Sequence, residues 1–184
     1  MPQFELAIFA GGCFWCTEAI FKRLKGVQSV IVGYTGGHTE NPSYEQVCTE
    51  RTGHAESIQI KFDPNQISFQ TLLDVFFATH NPTILNQQDY DVGTMYRSAI
   101  FYHSDSQKQM AHSTIDKLQQ SGKYSNPIVT QVVPFTKFFP SEKYHQNFYD
   151  SDPSKPYCQV VIDPKIKKLL HDFSSQVKPE YTRS

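Results

Sequence analysis

Apolar and polar positions follow two rhythms along this chain, and the switches between them mark its elements. Short apolar or period-two runs at 4–9 (FELAIF), 27–34 (VQSVIVGY), 55–62 (AESIQIKF) and 98–103 (SAIFYH) predict β-strands. Between them the apolar spacing becomes helical. Gly11 and Gly12 predict a turn, and a helix should open near Cys13 and run to Lys25, stopped by Gly26. After the Asp63-Pro64 turn, Ser68 can cap a helix that sets Phe69, Leu72, Leu73, Phe76 and Phe77 on one face. Ser104 with Gln107 predicts a capping box for a helix carrying Met110, Ala111, Ile115 and Leu118, ended by Gly122. A strand at 127–133 (PIVTQVV), a short helix around 141–149 (SEKYHQNFY) and an extended segment at 157–162 should follow. Asp163-Pro164 then starts a last helix bearing Ile166, Leu169, Leu170 and Phe173.

The order strand-helix-strand, strand-helix-strand predicts an α+β fold. It reads as a two-layer sandwich with a ferredoxin-like β-α-β-β-α-β core, long loops and extra C-terminal helices. The expected organisation is a single catalytic domain over 1–173 and a polar C-terminal tail over 174–184 (SSQVKPEYTRS) that frays. Two connections, 35–54 and 79–97, are too long to serve only as links. Both are dense in Tyr, Asp, His, Gly and Asn, so the chemistry is expected there.

Composition narrows the function classes. A net charge of -1 with 19% charged residues argues against nucleic acid or a membrane surface as the main partner. Aromatics make up 14% of the chain, which suits an aromatic pocket as well as a Phe-packed core. The opening MPQFELAIFA lacks a basic n-region and is interrupted by Glu5, and no run approaches transmembrane length. Four cysteines in 184 residues are too few for a disulfide scaffold and point to reduced thiols, so the expected location is cytoplasmic.

Cys13 follows a strand and two glycines and opens a helix, where backbone N–H groups and the helix dipole favour a thiolate. Cys16 lies one turn along on the same face. The pair Cys13-Phe14-Trp15-Cys16 fits a thiol–disulfide redox pair, half of a zinc site completed by Cys48 and His54, or a nucleophile with its pocket. Structural zinc takes four ligands at paired, tighter spacing, and only one pair here is close. The strand-entry motif His54-Ala55-Glu56 sends His54 and Glu56 to one side. A carboxyl aimed into an aromatic pocket would be kept protonated by desolvation and could donate that proton, although Glu56 taken alone reads as a solvated charge at a strand end. The segment DYDVGTMYRS supplies Asp91, Tyr96 and Arg97, the last read as structural. Glu142 and His145 have metal-like i, i+3 spacing but read as a surface pair.

The motifs GCFWCTE, GYTGG, NPSYEQV, GHAE, DVGTMYRS and SEKYHQNFY occur in order, and together they resemble the peptide methionine sulfoxide reductase A family over about residues 4 to 170. The resemblance implies an enzyme that reduces methionine S-sulfoxide, free or protein-bound, without a metal or organic cofactor. It implies Cys13 as nucleophile and Glu56, Tyr44 and Tyr96 as the acid and hydrogen-bond donors around the sulfoxide oxygen. Phe14, Trp15, Asp91 and Tyr149 would bind the substrate. The oxidised Cys13 would condense with a resolving cysteine and be recycled by thioredoxin or a similar dithiol reductant. The expected partners include no nucleic acid and no membrane, and the protein should be a monomer. Two features depart from the family pattern. The tail after Cys158 has no cysteine, which makes Cys16 the first choice as resolver, ahead of Cys158 and Cys48. Met95 stands where the family often has Gln. The rival enzyme is a general thiol–disulfide oxidoreductase using Cys13 and Cys16.

Overall fold

In a computed structural model that describes residues 3–183, the first strand β1 (Glu5–Gly11) leads through Gly12 into helix α1 (Phe14–Phe21). Strand β2 (Val27–Thr35), the short helix α2 (Tyr44–Cys48), strand β3 (Ala55–Phe62) and helix α3 (Phe69–Thr79) follow. A two-residue hairpin pair, β4 (Gln87–Gln88) and β5 (Asp91–Val92), precedes β6 (Ser98–Tyr102), α4 (Asp105–Gln120), β7 (Gln131–Pro134) and β8 (Phe138–Pro140). Helices α5 (Phe148–Ser151), α6 (Asp163–Asp172) and α7 (Pro179–Thr182) follow among the described residues.

The result is a mixed α+β fold built on one six-stranded sheet of order β7-β6-β1-β3-β2-β8. All neighbours are antiparallel except β6 and β7. The central strand β1 is buried on both faces, as alternation then requires two cores. Ala7 and Phe9 join the larger one, with Ile58, Ile60 and Phe62 of β3 and the apolar stripes of α1 and α3. Ile8 and Ala10 join Ala99 and Phe101 on the opposite face, covered by Val133, Phe135 and Phe138. On β3, Glu56 shares parity with Ile58, Ile60 and Phe62, so the pleat that buries those residues also carries its carboxyl under α1.

The caps at Ser68 and Ser104 form, each hydroxyl accepting a backbone N–H of the first turn. The Gln107 side chain reaches back to the His103 N–H instead of closing a box on Ser104. A complete capping box forms at Ser43 and Gln46, inside the long 35–54 connection. Helix α1 stops at Phe21, before Lys25, and the predicted 127–133 strand pairs only from Gln131.

Two expectations are corrected. The segment 157–162 is not extended: Cys158–Ile162 form a π-helical turn running into α6. Its buried residues Cys158, Val161 and Ile162 recur at helical spacing, and Pro164, lacking an N–H, cannot close an ordinary i→i−4 bond across it. Nor does the tail fray after 173. Val177 is buried and bridges Leu24, the Lys178 N–H donates to the Arg23 carbonyl at 2.8 Å, and Tyr181 lies 4.5 Å from the Arg23 guanidinium. Among the described residues no helix is long and apolar enough to cross a membrane.

Candidate active site

The strand-to-helix turn presents Cys13 at the N-cap of α1. Gly12 has φ of 91°, and a Cβ there would lie 2.7 Å from Gln88, so only glycine lets the hairpin close over this turn. The cap itself comes from elsewhere. The Phe14 N–H donates to Glu56 Oε2 at 2.9 Å, so a carboxyl from β3 fills the role a Ser or Asp would normally take. Glu56 is 2% exposed, and burial pushes its pKa up to about 8 despite that hydrogen bond. The acid is therefore protonated at neutral pH and stands against the start of the helix that carries the thiol.

Burial also holds the Cys13 thiol well above its usual range, with Cys16 and Glu56 adding to it. Cys16 is held below, chiefly by the hydrogen bond it shares with Cys13. The helix start alone suggested an ionised Cys13. Desolvation and a neighbouring carboxyl outweigh the dipole in this closed site, so the resting Cys13 is a thiol. Cys13, Cys16 and Cys158 belong to one buried cluster, whereas Cys48 is exposed on α2. All four cysteines are free thiols.

Tyr44 and Tyr96 border the carboxyl. Burial raises the phenol of each, with Glu56 among the added causes, so both remain hydrogen-bond donors. Tyr44 is fixed by its place at the start of α2 and by its N–H, which donates to Glu142 Oε2 at 3.1 Å. Met95 is buried in the main core beside Tyr96, so the residue that replaces Gln packs as an apolar side chain.

The aromatic wall is more extensive than the sequence suggested. Trp15 stacks on Phe148 with ring centres 3.7 Å apart and planes 7° from parallel, and Tyr157 meets it edge-on at 5.7 Å. The indole N–H donates to His145 Nδ1 at 3.2 Å. That bond makes His145 a neutral ring whose Nε2–H is a buried donor with no partner among the described residues. Phe14 is fully enclosed, 5.2 Å from the same ring. His145 is therefore no surface residue. Its expected partner Glu142 instead accepts from Tyr34, Tyr144 and the Tyr44 N–H.

Asp91 reaches the thiols through a residue that the motifs did not single out. Its Oδ2 accepts from the Tyr157 hydroxyl at 2.7 Å, and that hydroxyl lies 3.7 Å from Cys16 Sγ. Tyr149 joins the cluster only by its ring. Its hydroxyl donates to Asp163 at 2.5 Å, and the phenol that reaches the thiols is that of Tyr157. Nothing local announces Tyr157, because the π turn that aims it is a product of docking. Glu18 supplies the support beneath Phe148. It is buried in α1 and accepts the N–H of Asn147 at 2.7 Å, fixing the left-handed residue that starts α5.

The zinc alternative does not form, and Arg97 is structural. His54 bonds the Gly37 N–H and the Thr39 carbonyl, closing the 35–54 loop on itself. Both nitrogens are thereby occupied and Cys48 lies apart, which removes the zinc grouping with Cys13 and Cys16. Arg97 binds the carbonyls of Thr94 and Gly53 and the Gln131 amide, a structural role met without a carboxylate.

The family model for peptide methionine sulfoxide reductase matches residues 5–177. The peptide methionine sulfoxide reductase MsrA of Sulfolobus acidocaldarius is 52% identical over 169 residues, covering 92% of this chain and 95% of its own. Among solved structures, reduced Mxr1 from Saccharomyces cerevisiae superposes with a TM-score of 0.79 at 34% identity, over 85% of this chain and 90% of that one. Mxr1 from the same yeast in complex with Trx2 superposes at 0.57 and 25% identity, over 79% and 85% of the two chains. This chain belongs to the peptide methionine sulfoxide reductase family.

Proposed function

We propose that this chain reduces methionine S-sulfoxide to methionine through a sulfenic acid on Cys13, with Glu56 as the acid and a thioredoxin-like protein as the final reductant. The observation that carries the reading is the Glu56 carboxyl, enclosed under the first turn of α1 and held protonated beside a buried thiol. A sulfoxide oxygen leaves sulfur only as it gains a proton. Glu56 donates that proton, while the hydroxyls of Tyr44 and Tyr96 hydrogen-bond the oxygen as charge develops on it. The Cys13 sulfur, giving up its proton, attacks the sulfoxide sulfur. The oxygen passes to Cys13 as S–OH, methionine departs, and the proton lost by the thiol restores Glu56. Trp15, backed by Phe148, and the ring of Phe14 hold the substrate's methyl group, and Asp91 with Tyr157 orients the rest.

Cys16 then attacks the sulfenic acid, forming a Cys13–Cys16 disulfide and releasing water. Its position one turn along α1, in the same buried cluster as Cys13, supports it as resolver. The dithiol reductant returns both thiols, a step supported by the Mxr1–Trx2 complex. A reducing compartment, the cytoplasm, is part of the same reading. The core is read as ferredoxin-like on the strand order β6-β1-β3-β2, and the catalytic domain is extended past 173 on the burial of Val177. A general thiol–disulfide oxidoreductase would have no use for a protonated acid at the thiol.

The test is mass-spectrometric mapping of the disulfide left after one turnover without reductant. Cys13→Ser should abolish methionine release. Cys16→Ser should release one equivalent of methionine and then stall with thioredoxin. Undiminished thioredoxin-driven cycling in Cys16→Ser would move the resolver to Cys158.

A further inference from the structure

A cleft of about 660 Å³ opens beside the thiol pocket, and none of the proposed catalytic residues lines it. One lip is the hairpin residues Asp89 and Tyr90, the other the π turn at Val160 and the first half of α6. These are the segments that also supply Asp91 and Tyr157 to the thiols, so cleft and pocket share two walls. Tyr90 and Val160 are exposed apolar surface at the rim.

The charge in the cleft is one-sided. Lys123, Lys165 and Lys168 line it against the single carboxylate of Asp89. That carboxylate is already paired, 2.9 Å from Lys165 Nζ. Outside the rim, Asp172 lies 2.7 Å from His171. Its carboxyl is held below the usual range by that hydrogen bond, helped by the charges of Lys168 and Lys123, but it makes no ion pair with either lysine. His80, at the floor, is neutral: both ring nitrogens are hydrogen-bonded, and burial pushes its pKa down to about 4. Lys123 and Lys168 are exposed cations facing a recess with aromatic sides, and among the described residues no side-chain carboxylate lies within ion-pair distance of either.

We propose that this cleft binds acidic residues flanking the methionine sulfoxide of a polypeptide substrate. The proposal rests on the reductase reading and adds to it a sequence preference. A chain lying across the shared walls would place a residue a few positions from the sulfoxide between Lys123 and Lys168, since each extended residue spans about 3.3–3.6 Å. Long-range attraction does not supply such a preference, because the whole chain carries a net charge of -1.

The test uses short peptides with one methionine S-sulfoxide and a Glu, Gln or Lys pair two to five residues away on either side. Turnover is driven by a small dithiol, so that no reductant protein needs to dock. At low salt the best-placed Glu pair should raise kcat/KM over the Gln peptide about three- to tenfold, mainly through KM, as two partly screened ion pairs would. The Lys pair should lower it, and salt should erase both effects. In the double variant Lys123→Glu, Lys168→Glu the order should invert. Blocked methionine sulfoxide, too short to reach the cleft, should react alike in both proteins and reports the reductase chemistry alone. Equal rates for Glu and Gln peptides, or a Glu preference that survives the double variant, would overturn the proposal. So would an effect of the variant confined to thioredoxin-driven cycling, which would make the cleft a reductant site.

Discussion

Replacing Glu56 with Gln separates the role proposed for this residue in the reaction from what it costs the fold. Gln has nearly the same shape and can still accept the Phe14 N–H, but it carries no acidic proton. Loss of a general acid costs about 10²–10⁴ in rate. The rate of methionine release in a single turnover should fall by that amount. The wild-type rate should decline as pH rises through about 8, where Glu56 ionises, and the variant should lack that limb.

Stability should move the other way. A carboxyl carried from 4.5 in the unfolded chain to about 8 in the fold adds nothing below pH 4.5, where both states are protonated. As pH rises the unfolded chain ionises while the folded one keeps its proton, so stability is lost up to pH 8 and then levels off. The linkage amounts to about 3 kcal/mol at pH 7 and about 5 kcal/mol above pH 9. Gln does not titrate. Urea unfolding of the reduced proteins should therefore find Glu56→Gln no more stable than wild type near pH 4 and more stable by about 3 kcal/mol at pH 7. A stability difference that does not grow between pH 5 and 8 would refute the claim that Glu56 is held protonated by burial. A variant that releases methionine within threefold of the wild-type rate would remove it as the acid.

The supports of the aromatic wall give further tests, and Trp15 is the chain's single tryptophan, so its fluorescence reports on them directly. Glu18→Ala should free Asn147 and Phe148, shift Trp15 emission and raise KM for the sulfoxide, at a cost of about 1–3 kcal/mol in stability. Glu18→Gln, which keeps an acceptor, should restore the emission; if Ala and Gln behave alike, the hydrogen bond is not what holds the stack. Gly33→Ala would set a Cβ 2.3 Å from the Phe139 carbonyl and push β8 off β2. A loss of about 1–3 kcal/mol by urea unfolding is expected, and an unchanged midpoint would mean that the edge strand yields freely.

The sheet, the three main helices and the place of the thiol were legible because each follows from local pattern. Period-two parity buries Ile58, Ile60 and Phe62; the same parity turns Glu56 inward at the Phe14 N–H, where the residue alone reads as a solvated strand-end charge. Strand, two glycines and a helix start are enough to bring Cys13 to the turn. What stayed hidden depends on the chain's second half folding back over the first. His145 looked like half of a surface pair, since its four aromatic neighbours come from positions 14, 15, 44 and 144. The β-branched run before Asp163 favoured an extended segment, yet burial of Cys158 beside Cys13 and Cys16 selects a π turn and turns Tyr157 toward Asp91. The thiol's ionisation was misjudged for a related reason. A helix dipole can be read from a helix start, but desolvation depends on everything that closes over it, and here Trp15, Tyr96 and Tyr157 pack onto the Cys13 cluster. The enclosure that raises Cys13 also raises Glu56. A protonated carboxyl and an un-ionised thiol are therefore two results of one burial, and a variant that opens the wall should lower both pKa values together.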